Sequence, residues 1–405
     1  MGYGIKAFGF GPYGGVRKFG ADRFGNLGTP LVKGAEWNEV SDAYADIGSK
    51  SPVHETLRVC LVTPGLEGSA DVVLDQLDYT RDAQNNSVSL DGSQGHVMLR
   101  IPRLYYGYSY INNTHKWEVS SSKCGRTPNL HPAFFKAGVE VPYRYIGIYN
   151  ACGYDVSAGA YIDGDGTNSW LDKINDKLGS IAGKKPISAI TRAQGRVMAA
   201  NVGAGWQLMD FNLYSLMKLL YVSKYADLDS QSVLGNGNTR FATWSFTNCI
   251  SATGKVKSIS APGQSTSGGN SGDYVNLFGI EDPFGGIWGF IDGWNINSGV
   301  NYVCNNPANF ADNAGPTSAY ALYGSTNPTS GGWQNALQQN ISMLPGSVGA
   351  GSTTKVTDYY NYASGWRVPC IGGDAADGSY AGLCCLLAST DSSNAVSSIG
   401  GRLCF

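Results

Sequence analysis

The stretch Gly279-Ile280-Glu281-Asp282-Pro283-Phe284-Gly285-Gly286-Ile287-Trp288-Gly289-Phe290-Ile291-Asp292-Gly293 decides how this chain is read. It lies in residues 230–360, a region dense in Gly, Ser, Asn and Thr with large rings scattered through it. Loops of that length inside a compact domain are either functional or disordered. The rings Trp244, Phe278, Trp288, Trp294, Trp333 and Trp366 argue for order, because each buries a large apolar area and fixes the backbone that carries it. The expected picture is long ordered loops pinned to a small core by aromatic side chains.

Composition agrees. Of 405 residues 55 are glycine, charged residues are 15% and aromatic residues 12%. Glycine is thus about twice its usual share and charge well below the usual ~25%. A disordered chain carries fewer rings and more charge, and a helical array does not tolerate this much glycine. Net charge of −2 without a basic run argues against a nucleic-acid or membrane-surface partner, and no apolar run is long enough for a membrane span. The opening MGYGIKAFGFGPYGGVRKFG lacks the apolar core of a secretory signal. Nine cysteines, an odd number with no CxxC pair, point to free thiols made in a reducing cytoplasm.

Outside the loop-rich region the periods are clearer. Residues 1–45 read as a Gly/aromatic arm for attachment or oligomer contact, 46–134 as a β-rich domain, and 135–405 as a ligand-binding domain. Val97, Leu99 and Ile101 alternate with Met98 and Arg100; Tyr106, Tyr108 and Tyr110 share a face before Asn112-Asn113-Thr114, with Trp117 and Val119 beyond. This is strand, hairpin, strand. A further strand is expected over Val139–Tyr149, with Pro142 marking an edge or a strand start. Thr191 with Gln194 fits a capping box for a helix to about Asn201, with Gly203 past its end. A second helix begins at Asp210, where Leu213, Leu216, Met217 and Leu220 follow an amphipathic stripe. The class is α+β, β-rich, with two main helices.

No enzyme constellation emerges. Gly9–Gly14 matches GxGxxG by letter but lacks the strand before and helix after it. Gly179–Lys185 is one residue short of a P-loop and lacks the following Ser/Thr. Asp163-Gly164-Asp165-Gly166-Thr167-Asn168 opens like a calcium loop, yet position twelve is Ile174 where a bidentate acid is needed; an Asp/Gly turn is expected. His54, His96, His115 and His131 show no ligand spacing, so no metal or cofactor is expected. Cys384 and Cys385 are adjacent, hence on opposite faces of any strand, and no histidine follows His131 in sequence to act as their base.

Three segments in order resemble the C-type-lectin-like fold of the formylglycine-generating enzyme type. These are Gly205-Trp206-Gln207-Leu208 with the Asp210 helix, the 279–293 stretch, and Trp366-Arg367-Val368-Pro369-Cys370-Ile371-Gly372-Gly373 through Ile399-Gly400-Gly401-Arg402-Leu403. The enzyme's active-site cysteine pair and its acidic and His neighbours have no counterpart here, so the fold is implied and the oxidase activity is not. The C-terminal pattern Gly372-Gly373, Gly378-Ser379-Tyr380-Ala381-Gly382 and a Ser/Asn-rich run to Ile399-Gly400-Gly401-Arg402-Leu403 resembles the variable proteins of diversity-generating retroelements, tail-associated phage type. Leu90-Asp91-Gly92, Gly95-His96-Val97-Met98, Ile101-Pro102, His131-Pro132-Ala133-Phe134 and Gly147-Ile148-Tyr149 extend the resemblance upstream.

In that family AAC codons become NNC codons, which cannot encode Trp, Met, Lys, Glu or Gln, and residues 368–405 contain none of the five. The resemblance implies a variable region at about 366–405 on a rigid backbone. Its exposed ligand-binding positions are Asp374, Ala376, Asp377, Tyr380, Cys384, Cys385, Leu387, Ser389, Thr390, Val396 and Ser398, flanked by Tyr359, Tyr360 and Tyr362. Trp288, Arg367, Gly372, Gly373 and Arg402 form the scaffold. It further implies a non-enzymatic, homotrimeric tail fibre or tail-tip adhesin assembled in the host cytoplasm. The arm joins tail structural proteins, and the ligand is a host cell-surface protein or glycan. The alternatives are a bacterial variable ligand-binding protein of the same family and a formylglycine-generating-like oxidase.

Overall fold

The computed structural model describes residues 31–48, 53–317 and 319–405. The Gly9–Gly14 motif and the first 30 residues of the expected arm lie outside them. The rest of the arm is not an arm: Lys33–Asn38 and Ala43–Ile47 form a hairpin at one side of a five-stranded antiparallel sheet. Ala35 and Trp37 are fully buried there, and that burial is what the glycine-rich reading of 1–45 overlooked. The sheet continues through Thr114–Ser120, Tyr105–Ile111 and Asn129–Leu130. Its central hairpin turns at Asn112 and Asn113, with φ of 51° and 58°, the left-handed pair that a two-residue turn between twisted strands requires.

A seven-stranded sheet runs in the order Gln207–Leu208, Leu403–Cys404, Tyr143–Gly147, His96–Pro102, Arg58–Val62, Val72–Asp75 and Asp78–Asp82. It draws strands from both sides of the expected boundary at 134/135, and one apolar core extends from Ala35 to Cys404. In His96–Pro102 the predicted alternation holds, with Val97, Leu99 and Ile101 in that core and Met98 in a second cluster on the other face. The strand expected over 139–149 is two, Val139–Glu140 and Tyr143–Gly147, because Pro142 lacks the N–H a continuous ladder needs.

The three segments that carry the family resemblance meet in space. Trp288–Phe290 pairs with Cys370–Gly372 and with Ile399–Gly400, and Gln207–Leu208 pairs with Leu403–Cys404. Among the described residues there are four α-helices. Helix α1, Arg192–Ala200, carries the capping box as expected: Thr191 accepts from the Gln194 N–H and Gln194 reaches back. Its Arg192 and Arg196, one turn apart, grip Asp292 and Asp312. Arg196 is bidentate to Asp292 at 2.7 Å, and Arg192 reaches Asp312 at 2.7 Å and the Ile291 carbonyl at 3.0 Å.

Helix α2, Phe211–Tyr225, is capped by Asp210, whose carboxylate accepts from Leu213 N at 2.8 Å. The amphipathic expectation fails, since every residue from Phe211 to Ser223 is buried. One side packs on strands Lys33–Asn38 and Thr114–Ser120. On another, Tyr214 donates to the Leu383 carbonyl at 2.9 Å and Lys218 to the Met343 carbonyl at 3.1 Å. A helix covered on all sides has no polar face to display. The loop-rich region that covers it is ordered by its rings, as expected: Phe278 stacks on Tyr225, Trp294 on Tyr214, and Trp366 lies against Tyr302.

The Arg192 side chain is fully buried, so its removal leaves Arg196 as the one guanidinium for Asp292 and Asp312 and strips the buried Ile291 and Trp294 carbonyls of their donor. R192A should lose about 3–5 kcal/mol of unfolding free energy in urea, far more than alanine replacement of the exposed Arg81.

Candidate ligand-binding surface

The C-terminal segment folds into a second seven-stranded sheet. Its order is Pro345–Val348, Gly332–Leu337, Tyr359–Tyr362, Gly382–Ala388, Cys370–Gly372, Trp288–Phe290 and Ile399–Gly400. Gly382–Ala388 is therefore a central strand, parallel to Tyr359–Tyr362 and antiparallel to Cys370–Gly372. This corrects part of the expected variable set. Cys384 and Cys385 do point to opposite faces, but both are buried, Cys384 in the main core and Cys385 in a cluster with Trp288, Phe290, Val368, Cys370 and Ile399. Burial pushes the Cys384 thiol up to about 12 and the Cys385 thiol well above its ordinary value, so neither is a thiolate at neutral pH. Thr390 is buried too, its carbonyl accepting from Val368 N at 2.9 Å.

The remaining positions lie at or near the surface. Gly372 and Gly373, with φ of 93° and 85°, swing the chain out of the sheet into the turn 373–381. A Cβ on Gly373 would stand 2.7 Å from that of Ala381. The turn is held by its backbone. Ala375 N donates to the Gly286 carbonyl at 3.0 Å, Gly378 N to that of Thr239 at 2.8 Å, and Gln231 donates to the carbonyls of Gly378 and Ala381. Asp374, Ala376 and Asp377 are half-buried and Tyr380 is 44% exposed. Leu387, Ser389 and Ser398 are half-buried and Val396 is exposed. In its loop the Val396 carbonyl accepts from Ala189 N, and the Ser398 carbonyl from Trp288 N.

Strand alternation sorts the flanking tyrosines. Tyr360 is fully buried in the main core and Tyr362 packs against it, so neither lines the surface as expected. Tyr359 points the other way and meets Tyr380 with ring centroids 4.4 Å apart. Trp333, paired directly opposite Tyr359, completes a three-ring cluster at 5.4 Å from Tyr359 and 5.0 Å from Tyr380. From sequence Trp333 is only one of the rings that pin loops; its partner Tyr359 lies 26 positions on, beyond the strand Pro345–Val348, and leaves no local signal. A cavity of about 220 Å³ is lined by Asp229, Gln231, Asn236, Thr357, Asp358 and Ser379 among others, none of them singled out from sequence.

The scaffold residues divide. Arg402, fully buried, donates to the carbonyls of Gly147, Glu281 and Asp282 and to Asn150, all within 2.8–2.9 Å. Arg367 acts locally, on the Ser364 carbonyl and on Asp391. Trp288 is buried as expected. The Asp163–Asn168 segment is a turn in which Asp165 accepts from Thr167 N and Asn168 N. Among the described residues no group of three or more His, Cys, Asp or Glu is placed to hold a metal ion, and no helix is long and apolar enough to cross a membrane.

Asp374 and Asp377 form a carboxyl pair inside the turn. Asp377 accepts from Asp374 N at 2.6 Å, and Asp374 accepts from Ala376 N at 2.9 Å. Burial, then the neighbouring Asp377 carboxylate, raises Asp374 to about 7. A raised acid makes the folded state bind more protons than the unfolded one, so stability falls as pH rises from about 4 to about 7 and stays lower above. D374N keeps the acceptor and removes the charge. Its thermal midpoint should exceed that of the parent by roughly 1–3 °C at pH 8 and match it at pH 4, as read by circular dichroism.

No protein-family model matches the chain, and no curated protein matches it. A solved structure titled "Major Tropism Determinant P3c Variant" aligns over 86% of this chain and 80% of its own at 12% identity, with a TM-score of 0.24, too low to establish a shared fold.

Proposed function

We propose that this chain is a receptor-binding protein of a bacteriophage tail, a C-type-lectin-like adhesin whose C-terminal surface is diversified by a retroelement to bind changing host-surface ligands. The observation that carries the reading is the three-ring cluster Trp333, Tyr359 and Tyr380 beside a turn whose backbone is held from outside itself. Exposed tyrosine and tryptophan on a fixed backbone supply contact area at low entropic cost, the chemistry of a paratope. Asp374, Ala376, Asp377 and Tyr380 lie outside the strand ladders, so substitution there leaves the pairing of the sheet beneath intact. The meeting of the three resembling segments around Trp288–Phe290 supports the lectin-like reading. Trimeric display, and attachment through the residues that precede Leu31, complete the proposal, since weak single sites gain from several linked copies.

DNA flanking the gene tests it. A near-copy of the last ~40 codons should be present, differing only at adenines of the copy, with a reverse transcriptase gene nearby. Sequencing a phage population should find substitutions at Asp374, Ala376, Asp377, Tyr380, Leu387, Ser389, Val396 and Ser398, and few at the buried Cys384, Cys385 and Thr390. Absence of both the copy and the transcriptase ends the retroelement reading. Y380A should abolish adsorption of the purified chain to a bacterial isolate that the parent binds; unchanged adsorption ends the assignment of the surface.

A further inference from the structure

We propose that Lys255 and Asp282 become joined by a spontaneous intramolecular isopeptide bond, with Glu281 carrying the protons. The inference concerns the loop-rich region and is independent of the surface reading above. The Lys255 ammonium stands 3.2 Å from Asp282 Oδ2 and 3.4 Å from the Asp273 carbonyl. Glu281 and Asp282 are buried, as are Ile250, Val256, Val275 and Ile287 around them. Nearby Arg402 spends its N–H groups on the carbonyls of Gly147, Glu281 and Asp282 and on Asn150. One lysine thus faces two adjacent carboxyl groups away from water. Charges held there keep a desolvation penalty, which condensation to a neutral amide removes for the reacting pair.

Backbone geometry aims both acids. Neighbours on a regular strand point to opposite faces, and here the strand Ile280–Glu281 ends at Asp282, whose φ is 47°. Past that left-handed residue both carboxyls reach the same two segments. Glu281 Oε2 accepts from Val256 N at 2.8 Å, one residue from Lys255, and Asp282 Oδ1 accepts from Val275 N at 3.1 Å.

The step is a condensation in which ammonium plus carboxylate gives amide plus water. Nζ attacks Asp282 Cγ and the N–C bond forms; the Cγ–Oδ2 bond breaks and Oδ2 leaves as water with two protons that began on Nζ. Burial works against the Lys255 ammonium, but the Asp282 and Glu281 carboxyls outweigh it, so the lysine starts protonated. Burial raises Glu281 to about 7, which lets it take a proton from nitrogen and return it to the departing oxygen at neutral pH. The Val275 N–H meets the charge that develops on Oδ1, the atom that stays as the amide oxygen. A cavity of about 20 Å³ bounded by Asn150, Asn238, Lys255, Glu281 and Asp282 among others has room for one water. Asn238 Oδ1, buried without a hydrogen-bond partner in the protein, is placed to receive it. The bond ties the loop at Lys255 to a strand anchored in the main fold, where Glu281 N donates to the Ile148 carbonyl at 2.7 Å.

Tandem mass spectrometry of the purified full chain after proteolysis tests the proposal. A branched peptide joining Lys255 to Asp282, one water lighter than its two arms, is expected, and trypsin should not cut after Lys255. D282N, which offers an amide as the leaving group, should link with loss of ammonia in place of water. E281Q keeps the shape and loses the proton carrier; it should slow linkage about a hundredfold, read as linked fraction against time after synthesis, with a circular dichroism melt confirming its fold. Unlinked Lys255 in the folded parent overturns the proposal whatever the variants do, and so does linkage in E281Q as fast as in the parent. Water lost at an Asp-Gly step such as Asp163-Gly164 or Asp377-Gly378 counts as unlinked.

Discussion

Helix α2 has no solvent face, and the rest of the fold is arranged around that fact. Fifteen residues make a helix that is marginal by itself in water, so its stability comes from what covers it. The N-terminal five-stranded sheet supplies one wall, through Lys33–Asn38 and Thr114–Ser120. The C-terminal segment supplies another, through Leu383 and Met343. Even Lys218 is enclosed, its ammonium 4.1 Å from the Tyr214 ring centroid and bonded to the Met343 carbonyl. Burial pulls that lysine down to about 8, the signature of a charge accepted because the helix cannot turn it outward. The C-terminal sheet is consequently not a detachable module: it is a wall whose inner side completes the core begun by residues 33–38.

That arrangement divides the last forty residues into two populations. Side chains on the inner face of Gly382–Ala388 touch α2 and its neighbours, and those on the other face are largely closed over by Trp288, Phe290 and Ile399. Freedom to vary survives only where backbone bonds hold the chain and side chains leave it. The turn 373–381 meets that condition through Gly286, Thr239 and Gln231, and the loop to Ser398 through Ala189 and Trp288. Tolerance of substitution is thus a property of the hydrogen-bond partners of the backbone and not of sequence position.

Local chemistry was readable from residues and long-range pairing was not. The Asn112-Asn113 turn, the Thr191–Gln194 box and the Asp165 turn each depend on a few consecutive residues, and all are present as expected, whereas the strand expected over 139–149 is split at Pro142. The central position of Gly382–Ala388 is not legible in sequence because one partner, Tyr359–Tyr362, lies 26 residues upstream and the other, Cys370–Gly372, is reached only across the turn 373–381. The buried circumference of α2 left a trace that went unread: Tyr214, Leu219, Tyr221 and Val222 fill the positions between the chosen stripe. Arg192 and Arg196 drew no attention because their partners are about a hundred residues away. Of the candidate site, Tyr359 and Tyr380 were named from sequence, while Trp333 and the cavity required the sheet order.

Scarcity of charge and excess of glycine now have a single physical origin. An ion pair needs two specified partners and loses its value when one is replaced. The fold accordingly places its strongest pairs, Arg192 and Arg196 with Asp292 and Asp312, in the buried seam between α1 and the 291–312 segment. The C-terminal segment carries instead the ring cluster, the Asp374–Asp377 carboxyl pair and the local Arg367–Asp391 pair. Glycine serves the same division: at Gly372 and Gly373 it allows left-handed turns and close approach that no side chain would permit. The geometry of the turn 373–381 is thereby set by two glycines and by backbone partners that lie outside it.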